Sequence, residues 1–322
     1  MIEELTGRIE KELKNLVVPG YLPELYDPIS YTLADGGKRI RPLLLMLSAR
    51  IFDVSDEESI HQAMAVEIFH NFTLVHDDIM DNAPLRRGKA SVYQKWNANT
   101  AILSGDVMFS LSMQEVVKCN QQSIKEVLDT FIGMTIKVCE GQQMDMNFEK
   151  NSDVSIDEYM KMIELKTAYL LAGSLKLGAI LGRADKTTQE NIFNFGLKSG
   201  IAFQLMDDFL DAFGTTKNFG KQIGGDILAG KKTFLHLHCL SNLFGKEREE
   251  YLDCFTSSSI NAEEKIERTK KYFETTGAKE AVKKKAQDML DDAKKSLHKI
   301  EGNRLAIEQL VFLTNQLTNR EK

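Results

Sequence analysis

Proline is nearly absent from most of this chain. Five occur, at positions 19, 23, 28, 42 and 84, and none from 85 to 322, a stretch where average usage would place about twelve. Proline interrupts helix interiors and marks turns, so its absence predicts a mostly helical chain. It argues against a β-sandwich or an α/β barrel, which need more turn chemistry. Cysteine is sparse as well. Cys119, Cys139, Cys239 and Cys254 form no CxxC pair and no Cys/His set with zinc-ligand spacing, so four buried structural thiols are expected. No run of 18 or more apolar residues exists, and the start, MIEELTGRIEKELKN, is charged throughout. Neither a transmembrane segment nor a secretory leader is expected, and the reading is a cytoplasmic protein. An excess of positive charge is also missing. Lys and Arg number 41 against 47 Asp and Glu, a net charge of −6, which excludes nucleic-acid binding by bulk charge but leaves room for a local basic pocket.

What is present is an ordinary globular balance, 43% hydrophobic and 27% charged over 322 residues, long enough to bury a core without disulfides. Apolar spacings of three and four predict an amphipathic helix over 1–17, then a proline-rich connection from Pro19 to Pro28. A short helix ends at Gly36-Gly37, and another begins near Pro42, which suits a first turn. Helical windows follow at 63–81, 99–119, 127–146, 156–181 and 190–213. Gly133 and Gly141 in the third of these predict close backbone approach. Two or three amphipathic helices fill 262–318, with a turn at 275–277. The run Lys283-Lys284-Lys285 reads as a solvated face opposite Val282, Ala286, Met289, Leu290, Ala293 and Leu297. No repeat or linker-like shift divides the chain, so one all-α domain over 1–322 is expected.

Two acidic clusters carry the chemistry: Asp77-Asp78-Ile79-Met80-Asp81 and Asp207-Asp208-Phe209-Leu210-Asp211. Both have the form DDxxD, and both end apolar helical windows. Positions i and i+4 lie on one helix face, so Asp77 with Asp81, and Asp207 with Asp211, each present two stacked carboxylates. Such pairs repel unless a cation sits between them, and hard oxygen donors suit Mg²⁺, which also takes water and substrate phosphates. One copy would be weak, because acids at helix ends are usually just solvated. Two copies on otherwise apolar helices are hard to explain as surface.

Three glycine-basic segments accompany them: Gly36-Gly37-Lys38-Arg39-Ile40-Arg41, Arg86-Arg87-Gly88-Lys89, and Gly220 to Thr233 with Lys221, Lys231 and Lys232. Singly, each reads as a solvated turn. Together with the acids they suit a diphosphate pocket, with backbone N–H groups and cations turned to phosphate oxygens. Walker spacing is lacking, so a P-loop is not supported.

Five motifs in order, GGKRIRP, HDDIMDNAPLRRG, LKTAYL, FQLMDDFLD and GKQIGGDILAGKKT, give the chain a resemblance to the trans-isoprenyl diphosphate synthase family. The resemblance spans about residues 30 to 300. It implies an all-α isoprenoid synthase-type bundle around a central cavity, a homodimer, and head-to-tail condensation of isopentenyl diphosphate with an allylic diphosphate (dimethylallyl, geranyl or farnesyl). It implies Mg²⁺, three ions per site, held by Asp77, Asp81, Asp207 and Asp211, with Asp78 and Asp208 close by. Arg86, Lys166, Lys221 and Lys231 would contact the allylic diphosphate. Lys38, Arg41, His70 and Arg87 would form the metal-free site for isopentenyl diphosphate. Thr167 and Gln204 would sit beside the reacting carbons. His76 reads as structural.

Chain length in this family is set by the floor below the first acidic cluster. Phe72, five residues before Asp77, lies roughly 7.5 Å down a helix at 1.5 Å per residue, with Phe69 one turn further. Bulky rings there imply an early stop. The stretch FTLVHDDIMD looks most like archaeal-type geranylgeranyl synthases, so a twenty-carbon product is expected, with fifteen carbons next and a longer-chain polyprenyl product as the alternative. Phe69 and Phe72 could also be plain core. A class I terpene cyclase shares the first DDxxD but has a different second metal motif and no GGKRIRP site. An inactive regulatory subunit would tend to lose acidic members, and all six aspartates are here.

Overall fold

The computed structural model describes residues 1–16, 18–151, 153–214 and 223–318. It is 77% helical. In chain order the elements are α1 (Ile2–Lys14), α2 (Pro23–Leu33), α3 (Ile40–Ile51), α4 (Asp56–Met80), β1 (Leu85–Arg86), β2 (Lys89–Ala90), α5 (Val92–Lys95), α6 (Ala98–Val116), α7 (Ile124–Lys150), α8 (Ile156–Ile163), a π-helical turn (Glu164–Ala168), α9 (Tyr169–Leu181), α10 (Lys186–Phe213), α11 (Gly225–Leu228), α12 (Phe234–Ser241), α13 (Gly245–Thr256), α14 (Ala262–Thr275), α15 (Ala278–Leu297) and α16 (Arg304–Thr318). Among the described residues the only sheet is the two-stranded hairpin, Leu85 opposite Ala90 and Arg86 opposite Lys89. No described helix is long and apolar enough to cross a membrane.

Three sequence expectations need correction. Helix α4 starts seven residues before the apolar run at 63, because Ser55 and Glu58 close a capping box over its first turn, worth about 1 kcal/mol. The connection from Pro19 to Pro28 is partly helix: Pro23 occupies the first position of α2, where a missing N–H costs nothing, and Pro28 lies inside it. The window 156–181 is not one regular helix, since a π turn interrupts it at 164–168.

The chain divides into two compact units. The first comprises residues 1–133, 173–193 and 300–311, the second residues 134–172, 194–299 and 312–322. In the first unit Leu5, Ile9, Leu45, Met46, Leu47, Phe69 and Phe131 are fully buried. Helix α3 meets the start of the second segment at close range: a Cβ at Gly178 would fall 2.4 Å from the Leu45 carbonyl oxygen, and Ser48 Oγ donates to Leu175 O at 2.6 Å. In the second unit Tyr159, Leu205, Tyr251, Phe273, Ala278 and Val282 centre the core. The stripe on α15 is buried at Val282, Ala286, Leu290, Ala293 and Leu297, with Met289 partly so, as its spacing predicts.

Two of the four cysteines depart from expectation. Cys239 and Cys254 are buried, Cys119 is half-buried and Cys139 is exposed. Position 139 lies on the outer side of α7, where the neighbouring Glu140 is also exposed.

Candidate active site

In the first unit, the last turn of α4 carries the first acidic cluster. Asp77 is half-buried and Asp81, the C-cap, is exposed. Asp78 turns inward, with 3% of its surface exposed, and accepts from Arg86 Nε at 2.9 Å and from Arg86 Nη2. Burial raises the Asp78 carboxyl above its usual range, against the pull of Arg86. So Arg86, expected at the allylic diphosphate, uses two of its nitrogens to fix the hairpin against α4.

A cluster of cations stands around His70. Arg41 Nη1 lies 3.0 Å from His70 Nε2. Burial and then the charges of Arg41, Arg87, Arg86 and Arg39 hold the imidazole well below its usual value. A neutral His70 accepts the Arg41 bond, and the Arg41 and Arg87 guanidinium groups beside it suit an anion, Arg86 being paired with Asp78 and Arg39 with Glu67. Arg87 Nη1 donates to Asp35 O at 3.1 Å and Gly36 O at 2.9 Å, and its guanidinium lies against Gly37, where a Cβ would come within 3.2 Å. Lys38 is exposed. Arg39, between two expected ligands, does something else. It sits in the left-handed region (φ 47°) and is buried, with Nη1 on Glu67 Oε1 at 2.7 Å and Nη2 on Leu33 O at 3.0 Å. It is the bolt that holds the glycine loop.

The second unit holds the other half of the expected set. The π turn carries Lys166 and Thr167. Such an extra residue swells the helix locally, and two glycines make the space: a Cβ at Gly141 would lie 2.2 Å from Lys166 N, and one at Gly200 2.6 Å from Ala168 Cα. Gly133, also expected at a close approach, meets nothing within 4 Å. Lys166 Nζ pairs with Asp145 Oδ2 at 2.5 Å. Thr167 Oγ1 donates to Gln204 Oε1 at 3.0 Å, and Gln204 Nε2 donates to Asp208 Oδ1 at 2.8 Å. Asp208 Oδ2 accepts from the buried Tyr159 phenol. Burial pushes both Tyr159 and Asp208 upward from their usual values.

Within the second DDxxD the three acids differ. Asp207 is half-buried. Asp208 is 6% and Asp211 8% exposed, and Asp211 Oδ2 accepts from the Asp226 N–H at 2.9 Å. Asp211, expected as a metal ligand, thereby ties α10 to the first turn of α11. A cavity of about 100 Å³ is lined by Asp145, Tyr159, Lys166, Thr167, Gln204, Asp208, Asp226, Lys231 and Lys232. Lys231 is exposed, and Lys232 donates to Phe148 O. Lys221 lies outside the described residues.

Phe72 and Phe69 are two members of a four-ring cluster in the first unit. Ring centroids are 5.5 Å apart for Phe69–Phe72, 5.6 Å for Phe72–Phe109, 6.1 Å for Phe69–Phe109 and 5.9 Å for Phe69–Phe131. Phe69 and Phe131 are fully buried, whereas Phe72 and Phe109 keep accessible surface. His76 stands edge-on to Phe72, its ring centroid 4.7 Å away, in the space left by Gly105, where a Cβ would lie 2.3 Å from Nε2. That is the structural role expected of it.

Among the described residues no three or more His, Cys, Asp or Glu side chains converge as a ready-made metal cage. In the first unit the half-buried Asp77 and the exposed Asp81, and in the second the half-buried Asp207, offer hard oxygen donors. Such donors suit Mg²⁺, which draws its remaining ligands from water and phosphate.

The Polyprenyl synthetase family profile matches residues 22–274. A geranylgeranyl pyrophosphate synthase of Geoglobus acetivorans is 36% identical over 327 aligned residues, covering 100% of this chain and 98% of that one. A short chain isoprenyl diphosphate synthase of Methanothermobacter thermautotrophicus is 35% identical over 292, covering 90% and 89%. The crystal structure of geranylgeranyl pyrophosphate synthetase from Pyrococcus horikoshii superposes with a TM-score of 0.92 at 33% identity, covering 99% of each chain. With a match over most of its length, the chain belongs to the polyprenyl synthetase family, the trans-isoprenyl diphosphate synthases, and is a prenyltransferase that elongates prenyl chains.

Proposed function

We propose that this enzyme condenses isopentenyl diphosphate head-to-tail with allylic diphosphates, in a Mg²⁺-dependent reaction, and releases a twenty-carbon product. The observation that carries the reading is the cation cluster of Arg41, His70 and Arg87 in the same unit as Asp77 and Asp81. A diphosphate held by protein groups without a metal and a diphosphate held at carboxylates through a bound cation are the two binding demands of such a condensation. The five motifs are divided between the two units, which supports taking residues 1–322 as one synthase domain. A cytoplasmic location agrees with the absence of a membrane-spanning helix among the described residues. Exposed Ile102, Leu103 and Ile132 support a homodimer, for which sedimentation equilibrium is the check.

In this reading Asp77 and Asp81 in the first unit, and Asp207 in the second, would hold Mg²⁺, Asp211 being engaged by the Asp226 N–H. Bound there, Mg²⁺ would supply Lewis-acid stabilisation of charge on the departing diphosphate. Lys166 and Lys231 share that task from the protein side. Lys38, Arg41, His70 and Arg87 orient isopentenyl diphosphate so that its double bond faces the allylic carbon. The Thr167 and Gln204 oxygens stabilise the allylic carbocation. The released diphosphate takes the final proton, so no protein base is needed.

Phe72 and Phe109, the two rings of the cluster with open surface, would stop the growing tail. Purified protein incubated with isopentenyl diphosphate, Mg²⁺ and, separately, dimethylallyl, geranyl and farnesyl diphosphate should yield geranylgeranyl diphosphate as the terminal product by mass spectrometry. Lack of condensation with any primer would sink the reaction. Phe72→Ala should add at least one five-carbon unit to the terminal product. An unchanged product would place the floor elsewhere and leave the reaction standing.

A further inference from the structure

We propose that Tyr159 is a positioning residue for the condensation: through the Asp208 carboxylate it fixes the side-chain amide of Gln204, and so sets which atom of Gln204 faces Thr167. The proposal rests on the reading of Gln204 and Thr167 given above. Its own basis is a linear set of three hydrogen bonds. The Tyr159 phenol donates to Asp208 Oδ2. Gln204 Nε2 donates to Asp208 Oδ1 at 2.8 Å, and Thr167 Oγ1 donates to Gln204 Oε1 at 3.0 Å.

The logic is one of donors and acceptors. A primary amide can rotate by half a turn at little cost, exchanging oxygen for nitrogen. The two donors favour the ionised form of Asp208 against its burial, and a carboxylate accepting on both oxygens removes that freedom, because one oxygen takes the phenol and only the amide nitrogen can serve the other. Gln204 Oε1 must then point to Thr167, whose hydroxyl hydrogen is used in that bond. Both oxygens are left with lone pairs for a developing cation. Tyr159 is suited to anchor the set: it is 1% exposed, its ring is locked in the core of the second unit, and the capping box at Ser155 and Glu158 fixes the start of its helix. Asp208 is thereby distinguished from its neighbour. With both oxygens accepting within the protein and little surface, it orients a side chain, whereas Asp207 is half-buried.

The test is a double-mutant cycle with Mg²⁺ titrations. Tyr159→Phe removes one oxygen and leaves the ring in place. It should lower kcat about tenfold, with KM for both substrates and the Mg²⁺ half-saturation within about twofold of wild type. Gln204→Ala should lower kcat at least as far. The double variant should be no slower than Gln204→Ala alone, since Tyr159 acts only through the amide. If Tyr159→Phe proves too unstable to assay, Asp208→Ala serves. It leaves the Gln204 amide with no acceptor at that position and should show at least the same kcat loss at unchanged Mg²⁺ half-saturation. Wild-type kcat in Tyr159→Phe, additive losses in the double variant, or a raised Mg²⁺ requirement in Asp208→Ala would each overturn the proposal while leaving the condensation reading intact. Wild-type kcat in Gln204→Ala would overturn the role of Gln204 itself, and the proposal with it.

Discussion

Asp77→Ala should reduce condensation by about a thousandfold or more, a loss of about 4 kcal/mol of transition-state stabilisation. The fold should survive the change, and the reason lies in where the acid stands. Asp77, Asp78 and Asp81 crowd the C-terminal end of α4, where the helix already presents its backbone carbonyls. Negative side chains are unfavourable at that end, by up to about 1 kcal/mol each at exposed positions. Removing one should leave the melting temperature unchanged or raised. Loss of turnover with retained or increased stability is the signature of a side chain kept for a ligand. Turnover near wild type would end the metal assignment. Loss of both turnover and structure would mean that Asp77 serves the fold.

Gly141→Ala should be nearly as damaging, from a position that carries no chemistry. The added Cβ would fall 2.2 Å from Lys166 N, 2.6 Å from Lys166 Cα and 2.8 Å from Leu165 C. These are backbone atoms, so no side-chain rotation relieves the clash, and the π turn must shift away from α7. Overpacking of this kind costs about 1–3 kcal/mol of stability. A displacement approaching 1 Å of Lys166 and Thr167 should cost about a hundredfold in kcat. Gly133→Ala on the same helix is the control. Its Cβ meets nothing within 4 Å, so it should leave kcat unchanged and gain about 0.5–1 kcal/mol of stability. Steady-state kinetics and thermal melts of the two variants decide the matter. Equal behaviour would show that the close approach at Gly141 is not needed for the site.

Much of this was legible from residue order because the informative features are local. Proline scarcity predicts the helices, and the i, i+4 spacing predicts the paired carboxylates. The first glycine loop and the Arg86–Lys89 hairpin meet through Arg87. Other features depend on contacts that spacing does not encode. Tyr159 reads as one more apolar helix residue until its phenol is seen on Asp208. Asp145 had a faint signal in the polar run Gly141 to Asp145, but only its 2.5 Å contact with Lys166 gives it a role. The π turn at 164–168 has no composition of its own, because the glycines that permit it lie on α7 and α10. Asp78 and Asp211 belong to the acidic motifs yet are claimed by Arg86 and by the Asp226 amide, since a motif records residue types and not the direction in which each side chain turns.

The contacts around Arg87 bear on how this protein can be recombined with its relatives. Arg87 bonds the carbonyls of Asp35 and Gly36, Lys89 pairs with Asp35 at 2.8 Å, and Tyr31 donates to Ala90 O at 2.8 Å. The glycine loop and the hairpin, fifty residues apart in the chain, therefore form one cassette. A chimera that imports either segment alone puts these four bonds at risk at once, whereas one that imports residues 31–41 together with 85–90 keeps them and must match Glu67 and Asp78 on α4.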